Sequence, residues 1–416
     1  MRIGNVIRQA LASVSLLARR SIHGAPTRLH AVPLALRDRA EIPGFAGVRY
    51  RAPCGLGALV RDGAESVQRE RTHLAASGHF GPLPPAAFLA ISGGGDKGAF
   101  AAGLLAGWAT SGTRPQFKVV TGVSTGGLIA PLAFLGPAYD ERLRGIYTGV
   151  AARDIATPRA PLAAVLDDAL SDSEPLWRLV RGNIDRSVLD AIAAGYNEGR
   201  LLLVGTTDLD TGEGVIWNMT KIAASPHPQA AQLFHTVLMA SAAIPVALPP
   251  MLIDVEVDGR RYQEMHVDGG AAAQVFLYPP AMLFAEEARA RGIERQRALY
   301  VIRNSQPSPE PLGVERRVMA IAARAIAALI HAQGRGDLYR LYFLAQRDGV
   351  DFNLALIPES FAAAHAEDFD TAYMRQLYGL ARTMAADGYP WGKEPPDYRA
   401  ATGPAFTATD AATERS

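Results

Sequence analysis

The strongest constraint on the fold is an alternation of short apolar runs with helix-like runs, punctuated by glycine, between residues 86 and 136. The apolar runs are AAFLAIS (86–92) and FKVVTGV (117–123), and the helix-like runs are KGAFAAGLLAGWATSG (97–112) and TGGLIAPLAFLG (125–136). Strand, helix, strand and helix at this spacing are typical of parallel βαβ units. The sequence therefore predicts an α/β fold with a mostly parallel sheet.

Further elements follow along the chain. The patterns predict a strand pair over 200–219, a helix over 228–244, a hairpin that turns at Asp258-Gly259, a strand over 298–304, helices over 314–345 and 371–386, and a strand over 350–357. We divide the chain into a leader and irregular lead-in (1–84), a catalytic core (85–282), an α/β extension packed on the core (283–402) and a disordered tail (403–416).

Composition narrows the functional classes. Nearly half of the 416 residues are hydrophobic, which is enough for a large core, and the net charge of +1 gives no reason to expect a nucleic-acid partner. Cys54 is the single cysteine. An intramolecular disulfide and a cysteine-based zinc site are therefore excluded, and we expect no metal site.

The N-terminal segment has two interpretations. Residues 1–37 contain six arginines and no acidic residue, and apolar residues recur there at near-helical spacing. The segment is either a basic amphipathic helix in peripheral contact with a membrane or a frayed leader. Its longest uncharged run is too short to span a bilayer. A cytoplasmic or peripherally membrane-associated protein is favoured, and export through a weak N-terminal signal remains an alternative.

A glycine-rich loop follows the first predicted strand. Its residues are Gly93, Gly94, Gly95, Asp96, Lys97 and Gly98. Such a loop can cradle a dinucleotide pyrophosphate or present backbone N–H groups to an oxyanion. No acidic residue occurs between Lys97 and Tyr139 to hold a ribose, which weakens the dinucleotide interpretation. A simple tight turn is the remaining alternative.

A second glycine motif follows the next strand. Gly122, Val123, Ser124, Thr125 and Gly126 fit the Gly-x-Ser-x-Gly pattern of a nucleophile elbow. Ser124 would then lie at the carboxyl end of a strand and at the start of a helix, where the helix dipole favours negative charge. Because the carboxyl ends of neighbouring parallel strands lie side by side, the Gly93–Gly98 loop would lie next to Ser124.

A third motif, Asp268-Gly269-Gly270, follows the strand-like run QEMHV. An isolated Asp-Gly-Gly is usually a turn. It becomes functional only if the Asp268 carboxylate reaches Ser124.

These three motifs, in this order, resemble the patatin-like phospholipase family of lipid acyl hydrolases. ASAAIPVALPP (240–250) is also similar to a Ser-x-Ala-x-Pro segment that often precedes the catalytic aspartate of the family. The resemblance covers residues 86–282 and implies a three-layer α/β/α patatin-like fold around a mostly parallel sheet.

The resemblance also implies a mechanism. Ser124 would be the nucleophile and Asp268 its base, without a histidine between them. The Gly93–Gly98 loop would form the oxyanion hole, and Lys97 at the family's basic position would order that loop or lie at the surface. The substrate would be a lipid or another acyl ester, and no metal or organic cofactor would be required.

Two alternatives remain. An α/β-hydrolase triad needs a histidine that follows the acid in the chain. His331 and His365 meet this condition, and both are predicted to be helical. His266 precedes Asp268 but shares its face of the strand. The other alternative is a non-catalytic patatin-like protein that binds lipid or a partner.

Overall fold

The chain is described by a computed structural model over residues 28–51, 55–159, 168–309 and 313–398. The predicted N-terminal amphipathic segment, up to residue 27, and the predicted tail, 403–416, lie outside the described residues.

A large sheet forms the centre of the described structure. Its nine strands are β1 (Arg49–Arg51), β2 (Ala86–Ile91), β3 (Phe117–Val123), β6 (Leu201–Asp208), β7 (Glu213–Asn218), β8 (Met251–Val257), β9 (Arg260–Asp268), β10 (Arg297–Arg303) and β11 (Asp351–Leu356). Two short strands, β4 (Thr157–Pro158) and β5 (Ser171–Asp172), pair separately.

The strand order is β1-β7-β6-β3-β2-β10-β11. The pairings from β6 to β11 along this order are parallel, whereas β7 pairs antiparallel with both β1 and β6. β9 pairs antiparallel with β8 and with the last residues of β6. The predicted α/β class with a mostly parallel sheet is confirmed.

Helices cover both faces of the sheet. They are α1 (Leu56–Ala76), α2 (Gly98–Thr110), α3 (Thr125–Leu135), α4 (Asp140–Gly149), α5 (Glu174–Asn183), α6 (Arg186–Asn197), α7 (Met219–Ala223), α8 (Ala230–Ala242), α9 (Phe284–Ala290), α10 (Val318–Asp348) and α11 (Thr371–Ala386). Short 3-10 turns span Leu34–Arg39, Gly95–Lys97, Pro137–Tyr139, Ala152–Asp154 and Gly269–Ala271.

Two hydrophobic clusters correspond to the two faces. The larger cluster joins the sheet to α2, α3, α8 and α11, and the smaller one joins it to α1 and α10. Helices therefore lie on both sides of the sheet, as a three-layer arrangement requires. β10 and β11, which follow residue 282, extend the same sheet next to β2.

The lead-in is not irregular throughout, as the sequence had suggested, because α1 is a regular helix of 21 residues. Its buried positions include Asp62, Ser66 and Glu70. Ser66 hydrogen-bonds the Gly199 carbonyl, and Glu70 pairs with Arg295 at 2.8 Å. Leu56, Leu59, Val60 and Val67 recur along α1 at helical spacing, so the sequence carries a signal for this helix, which the polar residues between them obscure.

Candidate active site

The Gly-x-Ser-x-Gly motif forms a sharp turn between β3 and α3. Ser124 has φ 56° and ψ −129°, a conformation that a non-glycine residue rarely adopts. A Cβ on Gly122 would overlap the Gly126 carbonyl group, so the close return of the chain requires glycine there. Val123 and Thr125 on either side of Ser124 are buried. The predicted elbow geometry is therefore present in the structure.

Ser241 of α8 hydrogen-bonds the backbone of this turn. Its hydroxyl accepts a hydrogen bond from the Ser124 backbone N–H at 3.0 Å and donates one to the Gly205 carbonyl of β6 at 2.7 Å. Ser241 is the serine of the Ser-x-Ala-x-Pro segment noted in the sequence. The structure thus gives this segment a role in positioning the elbow.

Asp268 reaches Ser124 from the end of β9. Because β9 pairs with β6 and β6 pairs with β3, the last residue of β9 lies near the end of β3. The Ser124 hydroxyl lies close enough to the Asp268 carboxylate to lower the pKa of that carboxyl. The Gly270 backbone N–H donates a hydrogen bond to the carboxylate at 2.7 Å, and Gly269 begins the short turn that provides it.

Burial dominates the electrostatics of Asp268. The side chain is 6% exposed, and removal from water raises the pKa of its carboxyl to about 6, although the Ser124 hydroxyl and the Gly270 N–H lower it. A carboxylate with this pKa is still largely ionised at neutral pH and is a stronger base than an exposed aspartate. The arrangement can therefore accept a proton from the serine hydroxyl.

The glycine-rich loop lies directly beside the nucleophile. A Cβ on Gly93 would lie 3.0 Å from Ser124 Cβ and 3.7 Å from its Oγ. Gly94 has φ 153°, and a Cβ there would lie 2.5 Å from the Asn304 carbonyl oxygen, so both its conformation and its packing require glycine. The chain then passes through Gly95, Asp96 and half-buried Lys97 in a 3-10 turn, and α2 begins at Gly98.

Two buried polar residues fix the start of this loop. The Gln274 carbonyl accepts a hydrogen bond from the Gly93 N–H at 3.2 Å. The Asn304 side-chain amide donates to the Ser92 carbonyl, and its oxygen accepts from the Ala101 N–H. Neither Gln274 nor Asn304 belongs to a sequence motif, so their role in this loop was not predicted.

Asp96 connects the loop to the segment before α11. Its Oδ2 accepts hydrogen bonds from His365 Nε2 at 2.7 Å and from the Phe369 N–H at 2.9 Å. His365 lies in a loop, not in a helix as predicted, and its ring stacks on Tyr373. A contact between residues so distant in the sequence leaves no local pattern from which it could be predicted.

The other two candidate histidines have different partners. His266 is fully buried between Thr206 Oγ1 at 2.9 Å and Glu264 Oε2 at 3.2 Å. Burial raises the pKa of Glu264, but the hydrogen bond from His266 and the charges of two buried arginines outweigh this and lower it to about 2. His331 lies in α10, as predicted, and hydrogen-bonds the backbone of Pro307.

An apolar cavity of about 120 Å³ lies away from these residues. It is enclosed by α1, by the first residues of β2, β3 and β6, and by α9, at the amino ends of the parallel strands. Ser124 lies at the opposite edge. Among the described residues there is no cluster of histidine, cysteine, aspartate and glutamate suited to a metal ion. None of the helices in the described ranges is long and apolar enough to cross a membrane.

Comparison with known proteins gives one family match. Residues 89–280 match the family model described as Patatin-like phospholipase. A search among curated proteins finds no match.

Three solved structures show distant likeness. VipD from Legionella pneumophila is 12% identical, with a TM-score of 0.34 over 73% of this chain and 66% of that one. Full-length ExoU of Pseudomonas aeruginosa in complex with SpcU is 14% identical, and human GIVD cytosolic phospholipase A2 is 11% identical; each has a TM-score of 0.32 over 74% of this chain and 52% of the other. The chain thus spans between about half and two thirds of the length of these proteins. The likenesses are too distant to bear on activity, and the assignment depends on the family model. Over residues 89–280, a little under half of its length, this chain is similar to patatin-like phospholipases.

Proposed function

We propose that the chain is a serine lipid acyl hydrolase, similar to a phospholipase A or a lysophospholipase, that cleaves carboxylic esters through an acyl-enzyme on Ser124. The observation that carries this proposal is the position of the Ser124 hydroxyl, at a strained turn, beside the buried Asp268 carboxylate whose pKa it lowers. Nucleophile and base are neighbours, which is the arrangement that nucleophilic catalysis requires.

The reaction proceeds in two halves. Asp268 accepts the hydroxyl proton while Ser124 Oγ attacks the ester carbonyl, and the negative charge moves to the carbonyl oxygen. Backbone N–H groups of Gly94 and Gly95 stabilise that oxyanion, each contributing on the order of 3 kcal/mol. The C–O bond then breaks, and Asp268 returns the proton to the leaving alcohol. Water next attacks the acyl-enzyme with Asp268 as base, and the carboxylic acid leaves as Ser124 recovers its proton.

The raised pKa of Asp268 supports this role. With a pKa of about 6, about nine tenths of the carboxyl is ionised at pH 7. It is therefore available as a base near neutral pH and is more basic than an exposed aspartate. The strained Ser124 backbone is the kind of stored strain that structures retain at functional sites.

The test compares wild type with Ser124→Ala in hydrolysis of a short p-nitrophenyl ester and in labelling by a fluorophosphonate probe. We expect Ser124→Ala to eliminate both activities. Ser77→Ala, at the exposed end of α1, is the matched control and should behave as wild type. Labelling that persists in Ser124→Ala would contradict the proposal, and an unreactive wild type would favour the non-catalytic alternative.

The triad alternative is tested by replacing His266, His331 and His365 singly with alanine. Among the described residues, none of these imidazole rings hydrogen-bonds the Asp268 carboxylate, whose neighbours are the Ser124 hydroxyl and the Gly270 N–H. Loss of a catalytic base typically lowers kcat by a factor on the order of 10⁴. A loss of that size in one histidine variant would replace the dyad with a triad. Incubation with mixed phospholipids and lysophospholipids, wild type against Ser124→Ala, then identifies the substrate among lipid esters.

A further inference from the structure

Helix α10 is much longer than the strands beside it. From Gly334 onward it is packed against the sheet, and Leu338 and Leu341 belong to the smaller hydrophobic cluster. Between residues 313 and 333, by contrast, none of the described side chains is buried. The first half of α10 is therefore exposed or half-buried over its described side chains.

The direction of α10 shows where this half lies. The helix connects β10 to β11, which are parallel neighbours, so it runs from the carboxyl edge of the sheet back to the amino edge. At 1.5 Å per residue, the 13 residues 318–330 extend about 20 Å beyond the packed half. They project past the carboxyl edge, which is the edge that holds Ser124.

Electrostatic contacts agree with this placement. His331, at the base of the projecting segment, has its pKa lowered by burial and by the nearby charges of Arg303, Arg335 and Lys97. Lys97 belongs to the glycine-rich loop, and Arg303 ends β10. The projecting segment thus starts close to the loop beside the nucleophile.

The surface of the projecting segment is amphipathic. Val318, Ile321, Ile326 and Leu329 are 82%, 53%, 37% and 70% exposed, and their spacing of i, i+3, i+8 and i+11 places them on one side of the helix. Arg324 lies on the other side of the segment, and Arg316 and Arg317 come just before it in the chain. No acidic residue occurs from Arg316 to Gly336.

A lipid surface is the occupant that these features favour. An exposed apolar stripe accompanied by arginines is typical of helices that lie in the bilayer interface, and a segment with arginines and no acidic residue complements anionic lipid. A length of about 20 Å is less than the ~30 Å of a hydrocarbon core, so the segment can enter a membrane but not span it. A second apolar patch of Leu170, Ile244 and Val246 lies near Asp268, whose N–H donates to the Ala243 carbonyl.

We propose that residues 318–330 of α10 insert into the surface of an anionic lipid bilayer and hold the catalytic edge of the sheet against it. This proposal goes beyond ester hydrolysis and does not depend on it, since binding is measured in a variant that lacks the nucleophile. It also differs from the expectation of membrane contact through the N-terminal segment.

The experiment uses the full chain carrying Ser124→Ala and measures flotation with phosphatidylcholine vesicles that contain or lack phosphatidylglycerol. We expect binding to the anionic vesicles. The pair Ile321→Glu and Leu329→Glu should lower the partition coefficient at least tenfold, because burial of each side chain contributes about 1.5–3 kcal/mol and 1.4 kcal/mol is a factor of ten. Phe80→Glu is the matched control, because Phe80 is 86% exposed in the loop that leads to the amino end of β2.

Several results would overturn the proposal: no binding by the parent protein, equal binding by the double variant, or an equal loss in Phe80→Glu. If binding depends on the N-terminal segment instead, the double variant will still float. If a second copy of the chain covers the stripe, the parent will be a dimer that the double variant dissociates. If the glutamate pair unfolds, as judged by loss of the cooperative thermal unfolding transition, the milder pair Val318→Ser and Leu329→Ser decides, with the same expected direction.

Discussion

Replacement of Asp268 by Asn should abolish ester hydrolysis and at the same time stabilise the folded protein. The carboxyl has a pKa of about 6 in the folded chain, against an ordinary value of 3.8. As the pH rises from about 4 to 6, the unfolded chain releases this proton while the folded chain retains it. Stability therefore falls over this range, and the full cost of the buried carboxylate is present above pH 6.

The size of the effect follows from the two pKa values. The gap between about 6 and 3.8 corresponds to ~3 kcal/mol at about 1.36 kcal/mol per pKa unit. Asn keeps an oxygen for the Gly270 N–H and offers an amide N–H to the Ser124 oxygen, but it carries no charge. Since unfolding entropy scales with chain length, a gain of ~3 kcal/mol in a chain of 416 residues is a rise of roughly 3 °C in the thermal midpoint.

The assay compares the unfolding of wild type and Asp268→Asn at pH 8 and at pH 4. We expect the variant to be more stable at pH 8 and most of the difference to be lost at pH 4, where the folded carboxyl is protonated and the unfolded one is only partly ionised. Asp258→Asn, in the exposed turn between β8 and β9, is the control and should change little at either pH. An Asp268→Asn protein that is less stable at pH 8, or equally shifted at both values, would refute the reasoning.

Three other predictions concern activity and stability. First, kcat/KM should fall as the pH is lowered, with a midpoint near pH 6, because Asp268 becomes protonated. This midpoint should hardly move with temperature, whereas the midpoint of an imidazole base would shift clearly. Second, Ser241→Ala should lower the free energy of unfolding by about 1–3 kcal/mol, because the Ser124 N–H loses its buried acceptor. Urea denaturation measures this change, and an unchanged free energy would show that Ser241 does not support the elbow. Third, His365→Ala should lower kcat several-fold without changing the pH midpoint, because Asp96 loses one of its two hydrogen-bond donors and the glycine-rich loop becomes less ordered. A fall in kcat on the order of 10⁴ would instead indicate that His365 is catalytic.

Much of the core was predictable because its local signals agree with its tertiary environment. β2 and β3 are runs of apolar and β-branched residues that end at glycines, and the helices after them begin within a residue or two of the predicted positions. The predicted strand pair and the hairpin at Asp258-Gly259 are also present. Where burial, propensity and turn residues all favour one structure, a single sequence is sufficient.

The features that the sequence did not reveal depend on pairs of distant polar residues. α1 buries Asp62, which contacts Lys221 at 3.1 Å, and nothing in the sequence links these two residues. The support of the glycine-rich loop by Asn304 and by the Asp96–His365 pair is of the same kind. Each partner taken alone is an ordinary polar residue, and only the folded chain brings the two together.

The attachment of β9 has a consequence for the order in which the protein becomes active during synthesis. Ser124 and its elbow belong to an early βαβ unit, whereas Asp268 arrives much later on a strand that meets β6 through only the last residues of each. A nascent chain that has folded β3 and α3 therefore presents a serine hydroxyl without a base. In the proposed mechanism, competence for acyl transfer begins only when β9 docks in register, since a slip of one residue would turn Asp268 to the other face of the sheet. The late docking of this one strand then sets the point at which the proposed nucleophile gains its base.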